Sequence, residues 1–310
     1  MPYPKMTKKI SVIIPSLGRW NRLIQCIESI LKQKREYPLE IIVILDGVSS
    51  IEAEGRLRSA ISGAGDMIID ASLNRRGSPR AKNDGARLST GDVLVFVDDD
   101  ITAEAEWLST IVESISDDVV GVGGAERKPQ RIDIFRNIWF RVNGNVTGKV
   151  GFTGQVISNF TPTKCEPEQV DCLAGCNMAF SRAAFENCNG FDECYGGNAY
   201  REETDLCLRI SRFGKLIFLP KAVVFHHEEP SGGNTPNSIR DWHYWYHRNN
   251  TYFFMKNLNG HRLSRISLHI LNEILLAVVR MIAGRTMSPI STMYRGFKDG
   301  KAVYNRDPVG

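Results

Sequence analysis

The stretch Gly91-Asp92-Val93-Leu94-Val95-Phe96-Val97-Asp98-Asp99-Asp100 constrains the fold more than any other. Five apolar residues run from Val93 to Val97, and three carboxylates follow without a break. A short, β-branched run bounded by glycine predicts a buried strand of a parallel sheet. In open α/β sheets the carboxyl ends of such strands face the ligand crevice. Three adjacent aspartates repel one another unless a cation lies among them. Oxygen donors with no nearby thiolate point to Mg²⁺ or Mn²⁺, which keep waters and bridge substrate phosphates. The sharper reading is therefore a metal–diphosphate site at a strand tip. The plainer one is an acidic turn that opens a helix.

The 310 residues are 42% hydrophobic and 24% charged, an ordinary globular composition that allows one large domain or two small ones. A net charge of +4 is too small to imply nucleic acid. Its distribution is uneven: from Arg240 to Gly310 there are 11 Lys+Arg against 4 Asp+Glu. The seven cysteines do not follow zinc-ribbon spacing, as Cys172/Cys176 and Cys188/Cys194 illustrate. Free thiols in a reducing cytosol are expected. Met1 to Ile10 carries no apolar signal core. The nearest approach to a membrane span, Leu268 to Ala283, is interrupted by Glu273 and Arg280. A cytoplasmic protein follows as the expectation.

Along the chain, Ile10 to Pro15, Glu40 to Leu45 and Met67 to Asp70 predict strands. Between and after them come helices over Leu23 to Leu31, Ile51 to Ile61 and Pro79 to Leu88, with Pro79 suited to a first turn. This alternation means βαβ units and an α/β sheet of mostly parallel strands. A helix from Ala103 to Ile115 and a strand at Val119 to Val122 follow. Ala125 to Glu168, punctuated by glycines, reads as a long irregular insertion. Glu202 to Phe213 predicts a helix, Lys215 to Leu219 and Ala222 to Phe225 short strands, and His226 to Gly233 a polar loop. An aromatic, basic helix around Trp242, Trp245 and Tyr246 begins the tail, and an apolar one spans Leu263 to Ala283. Acidic residues thus recur at strand ends and turns: Asp46, Asp70, Asp98 to Asp100, and Glu202/Glu203. Strand ends on one sheet edge converge, and a carboxylate among like charges can be raised toward a general base.

Five segments in order resemble the inverting, nucleotide-sugar-dependent glycosyltransferases of family 2, with the GT-A fold. They are Ser11 to Ser16; Ile44-Leu45-Asp46-Gly47; Asn74 to Gly85 with Gly77, Arg80, Ala81, Asn83 and Gly85; the DxD motif of Val97 to Asp100; and Arg201-Glu202-Glu203-Thr204-Asp205-Leu206-Cys207-Leu208-Arg209. They cover roughly residues 8 to 230. The chain departs from the family at Glu202-Glu203, where Glu-Asp is usual, so that either carboxylate could serve as the base. The resemblance implies a GT-A domain over residues 1–240 and a helical tail over 241–310. It implies that Asp46 binds the nucleobase, with Pro15 and Ser16 lining its pocket, and that Arg80 faces the diphosphate or ribose. Asp98, with Asp99 beside it, would touch ribose or metal-bound water; Asp100 and Asp98, with His226 or His227, would hold Mn²⁺ or Mg²⁺. Glu203, or Glu202, would deprotonate the acceptor. A carboxylate at Asp46 suits the N3–H of uracil or thymine, hence a UDP- or dTDP-sugar. The acceptor is expected to be a glycan or lipid-linked hydroxyl in cell-surface polysaccharide or glycolipid synthesis. The basic, aromatic tail suits an anionic membrane surface at the cytoplasmic face, or else packing on the domain or self-association into a homo-oligomer.

Rivals remain on motif alone. Asp98-Asp99-Asp100-Ile101-Thr102 also fits the D-x-D-x-T of haloacid-dehalogenase-like phosphatases, although 97 residues precede it. A sugar nucleotidyltransferase would carry a phosphate loop that Ser16-Leu17-Gly18-Arg19 matches poorly. A non-catalytic nucleotide-sugar-binding protein is the third alternative.

Overall fold

The computed structural model describes residues 8–33, 37–61, 67–128, 146–152, 154–163, 166–227, 238–257, 262–284 and 288–306. Its first part alternates as expected: β1 (Ile10–Ser16), α1 (Trp20–Leu31), β2 (Leu39–Asp46), α2 (Ser50–Ala60), β3 (Met67–Ser72), α3 (Ser78–Leu88) and β4 (Val93–Val97). Then come β5 (Ile101–Ala103), α4 (Trp107–Ser114), β6 (Val119–Arg127), β7 (Lys149–Val150), β8 (Val156–Ile157) and β9 (Glu168–Gln169). β10 (Asn177–Ser181), α5 (Arg182–Asn187), α6 (Glu202–Ile210) and β11 (Lys215–His226) complete the sheet and its flanks. Three helices close the chain: α7 (Ile239–Asn257), α8 (Arg262–Gly284) and α9 (Ser288–Arg306).

Nine strands form one sheet in the order β3-β2-β1-β4-β10-β6-β11-β5, with β9 also on β11. β1 pairs in parallel with β2 and β4, β2 with β3, and β6 with β11. β10 is antiparallel to both β4 and β6, so those two run the same way. β3, β2, β1, β4, β6 and β11 therefore all end at one edge, where β10 begins. That edge carries Asp46, the Asp98 turn, Glu126, His226 and Asn177.

Burial explains the central strands. Every residue of β4 is buried, and β1 and β2 are almost as dry, which is why they read as apolar runs rather than alternations. α3 lies on them only because Gly85 has no side chain: a Cβ there would stand 2.4 Å from Ile13 Cγ2. Gly124 plays the same part in β6, where a Cβ would meet the Ala222 carbonyl oxygen at 1.8 Å. Fully buried Asn177 fastens the junction. Its Nδ2 donates to the carbonyls of Ala125 (3.2 Å) and Ala222 (3.0 Å), and its Oδ1 accepts from Trp107 Nε1 (2.9 Å).

Several expectations are corrected. Ala103 does not open a helix but ends β5, whose three residues pair with Val224 to His226; α4 starts only at Trp107. Tertiary pairing here overrides a helical pattern. The two short strands expected either side of Pro220 are one strand, β11, with a register shift between Leu219 and Val223 that accommodates the proline. β3 and β6 run beyond their expected ends, to Ser72 and Arg127. The region expected to be irregular from Ala125 to Glu168 contains the end of β6, the β7–β8 hairpin and the first residue of β9; residues 129–145, 153 and 164–165 lie outside the described ones. His226 is the last residue of β11 rather than part of a loop, and residues 228–237 lie outside the description. α7 begins at Ile239, and the basic terminal segment lies in helix α9.

Candidate active site

The three aspartates part company at the end of β4. Asp99 turns back beneath β1, where its carboxylate accepts hydrogen bonds from Ser16 Oγ and the Arg19 guanidinium. Asp100 accepts from Arg19 Nη1 at 2.7 Å and lies 3.2 Å from His226 Nε2. Burial works against both charges, but His226 and Arg19 hold the Asp100 carboxyl at about 2. His227 is committed elsewhere: its Nε2 pairs with Thr102 Oγ1 at 2.8 Å. Of the two histidines, His226 is thus the one facing the aspartates. Ligand atoms of Asp98, Asp100 and His226 all lie within 4.8 Å of one another. Buried Asp100 Oδ1 accepts no well-formed hydrogen bond. Two carboxylates and an imidazole gathered this closely fit a divalent ion such as Mn²⁺ or Mg²⁺.

The two glutamates open α6, where the helix dipole favours negative charge. Their surroundings separate them. Glu202 is buried and accepts from Lys82 Nζ (2.7 Å) and Ser78 Oγ (2.8 Å) of α3. Glu203 is half-buried. Burial, and after it the neighbouring Glu202 charge, pushes its carboxyl up to about 7. Asp98, Glu126, Cys176, Glu202, Glu203 and His226 all line one cavity of ≈370 Å³.

The remaining expected residues sit apart from that cavity. Asp46, at the end of β2, accepts from the backbone N–H groups of Arg76 and Gly77 (both 3.0 Å) and from Arg76 Nε (2.9 Å). Pro15 and Ser16 end β1, and Ser16 Oγ also accepts from Gly18 N at 3.1 Å. Arg80 is exposed on α3. Sequence reading missed the cations that serve these acids, namely Arg19, Arg76 and Lys82, and also Glu126. Lys82 carried a signal: it lies three residues after Pro79 on a face with Asn83 and Ala86, all buried. Glu126, in contrast, reaches the site only through β6–β11 pairing.

The tail helix α7 holds the approach to α6. Arg248 donates to the Cys194 carbonyl, Asn249 Nδ2 to the Gly196 carbonyl (2.9 Å), and Asn250 Oδ1 accepts from Arg201 Nε (2.8 Å). Arg201 has φ 79°, a left-handed conformation unusual for a side-chain-bearing residue. It is kept there by Asn250 and by its cation lying 4.9 Å from the Tyr200 ring centroid and 5.2 Å from that of Phe253. Lys256 reaches Asp192 (2.6 Å) and Asp205 of α6 (3.2 Å). Of the aromatic cluster, Trp245 is packed: a Cβ on Gly197 would stand 2.1 Å from its Cδ2.

The sequence model of glycosyl transferase family 2 matches residues 11–188. The chain belongs to this family. The glycosyltransferase is 28% identical over 235 residues to the glucosyl-dolichyl phosphate glucuronosyltransferase of Haloferax volcanii, covering 71% of this chain and 69% of that one. Among solved structures it is similar to GalNAc-T7 with UDP, GalNAc and Mn²⁺ (TM-score 0.60, 20% identity, 82% of this chain and 51% of that one). It is also similar to the mannosyltransferase PcManGT of Pyrobaculum calidifontis in complex with GDP-Man and Mn²⁺ (TM-score 0.58, 16% identity, 99% and 90%). These likenesses establish the GT-A fold of the enzyme. The matches favour a transferase over the phosphatase, nucleotidyltransferase and non-catalytic readings.

The Lys82–Glu202 pair, with both side chains 4% exposed, yields a stability prediction. Lys82→Met leaves a buried, uncompensated carboxylate and should cost about 3–5 kcal/mol in urea unfolding at pH 7. Adding Glu202→Gln should recover part of that loss. A double variant no more stable than the single one would mean that the buried charge is not the cause.

Proposed function

We propose that the glycosyltransferase moves a sugar, with inversion, from a UDP- or dTDP-sugar to a hydroxyl of a glycan or lipid-linked acceptor. The reading rests on one observation: Glu203, with its carboxyl raised to about 7, opens onto the same cavity as Asp98 and His226 of the ligand set. Glu203 is the general base. Glu202 is paired with Lys82, and its negative charge, after burial, raises Glu203. The ionised Glu203 takes the acceptor proton as the hydroxyl attacks the anomeric carbon, and the nucleoside diphosphate leaves from the opposite face. Asp98, Asp100 and His226 would hold Mn²⁺ or Mg²⁺, which offsets the charge of a leaving diphosphate when bound. Asp99 acts through Ser16 and Arg19 rather than on the donor.

Asp46, fixed by Arg76 and Gly77, keeps lone-pair capacity for a base N–H, and Pro15 and Ser16 would line that pocket. Arg80, exposed on α3, would reach the diphosphate or ribose. Residues 1–240 would carry the chemistry, and 241–310 would form the tail that steadies α6. The Haloferax volcanii relative's name specifies a glucosyl-dolichyl phosphate, which supports a lipid-linked acceptor in surface glycan or glycolipid synthesis. Among the described residues no helix is long and apolar enough to cross a membrane. α8 nonetheless exposes Leu268, Leu271, Ile274 and Leu275 along one side. That side supports peripheral docking on an anionic membrane, at the cytoplasmic face.

Three measurements follow. Thermal unfolding should show stabilisation of about 2.7 kcal/mol with UDP or dTDP at about 100 times the dissociation constant, and none with GDP or CDP. UDP or dTDP should act only with Mn²⁺ or Mg²⁺, and Asp100→Asn should abolish the effect; no shift with any nucleotide refutes the donor assignment. Glu203→Gln should lower kcat by about 10²–10⁴ and leave nucleotide binding intact. A base works ionised, so kcat/KM should rise with pH through about 7 and then level off. Glu202→Gln, by removing the like charge, should move that limb to lower pH; an unmoved limb points to another base. Finally, the protein should float with anionic liposomes at low salt, less so with Leu271→Glu and Leu275→Glu together. Failure to float rules out the membrane reading.

A further inference from the structure

His226 stands between two ligand sets. Its Nε2 faces Asp100 at 3.2 Å, and its Nδ1 is hydrogen-bonded to Glu126. On the Glu126 side lies the Cys176 thiol, and ligand atoms of Glu126, Cys176 and His226 all fall within 4.8 Å of one another. Three features distinguish this second set from a chance cluster. Its donors are imidazole, thiol and carboxylate, the combination that zinc and cadmium prefer and that Mn²⁺ and Mg²⁺ do not. All three residues line the ≈370 Å³ cavity, which gives an entry path and room for a water in a fourth position. Glu126 is itself held by Lys128 Nζ at 2.8 Å, an outer partner that fixes a ligating carboxylate. Ligands on one tetrahedral zinc lie roughly 3.5 Å apart, so small side-chain movements would close the set.

We propose that Glu126, Cys176 and His226 form a separate site for a thiophilic divalent cation, Zn²⁺ in the first instance, whose occupation opposes metal binding at Asp98 and Asp100. The antagonism comes from the imidazole. A neutral ring has one nitrogen with a free lone pair. Coordination through Nδ1 puts the remaining proton on Nε2 and turns that nitrogen from a ligand into a donor. Zn²⁺ at the second set therefore removes His226 from the first without moving it. The cost of entry is the thiol proton, which passes to solvent when the ion binds. The inhibitory consequence rests on the proposed role of Asp98, Asp100 and His226, but the binding itself does not.

Cd²⁺ titrated into the full chain without nucleotide tests the site directly. Thiolate coordination gives a sulfur-to-cadmium charge-transfer band in the ultraviolet, which should saturate at one equivalent. Cys176→Ala should abolish it with the thermal unfolding midpoint retained. If that variant does not fold, Glu126→Gln carries the test and should weaken Cd²⁺ binding at least ~10-fold, as losses around metal sites do. No band in the wild type, an undiminished band in Cys176→Ala or unchanged affinity in Glu126→Gln overturns the site. Zn²⁺ added to the Mn²⁺-loaded chain should then release Mn²⁺, read as the paramagnetic resonance signal of the free ion. Mn²⁺ retained at saturating Zn²⁺ overturns the antagonism while leaving the Mn²⁺ site itself supported.

Discussion

Negative charge concentrated at one sheet edge governs this molecule. Asp46, Asp98, Asp99, Asp100 and Glu126 all reach that edge, and Glu202 and Glu203 arrive from α6. At these separations in a partly dry interior, repulsion between carboxylates would exceed what packing offers unless each is answered. The fold answers most of them with cations of its own: Arg76 on Asp46, Arg19 on Asp99 and Asp100, Lys128 on Glu126, Lys82 on Glu202. Asp98 and Glu203 face the same cavity as the answered Glu126 and Glu202. How far each acid is answered, rather than where it faces, sets them apart.

That division depends on β10. Because this one strand runs antiparallel between β4 and β6, the Asp98 turn and the ends of β6 and β11 meet across a single strand width. Asn177 closes the gap with hydrogen bonds to the carbonyls of Ala125 and Ala222, and Gly124 lets those strands come close enough for them. Glu126 pairs in register with Val224, and His226 lies two residues further along β11, so one imidazole can be approached from two sides.

Much of this was legible in the sequence, for identifiable reasons. Buried parallel strands leave apolar runs, so β1, β2 and β4 and the edge at which they end could be read directly, and with them Asp46 and Asp98 to Asp100. Glu202 and Glu203 were legible as a pair, but nothing local separated them. The separation comes from Lys82, which is 120 residues away in the chain. Glu126 left no mark, because its neighbour His226 is set by the pairing of β6 with β11. The same long-range pairing turned an expected helix start at Ala103 into strand β5. Patterns of period two or 3.6 report which face is dry. They do not report which distant cation settles which acid.

The grip of α7 on the segment before α6 has a further consequence. Arg248, Asn249 and Asn250 bond residues 194, 196 and 201, and Lys256 bonds α6 itself. A helix outside the α/β sheet thereby fixes the backbone from which both glutamates project. The tail is consequently a poor unit for recombination: a chimaera that joined this α/β sheet to another protein's tail at the start of α7 would lose the brace of its own helix α6.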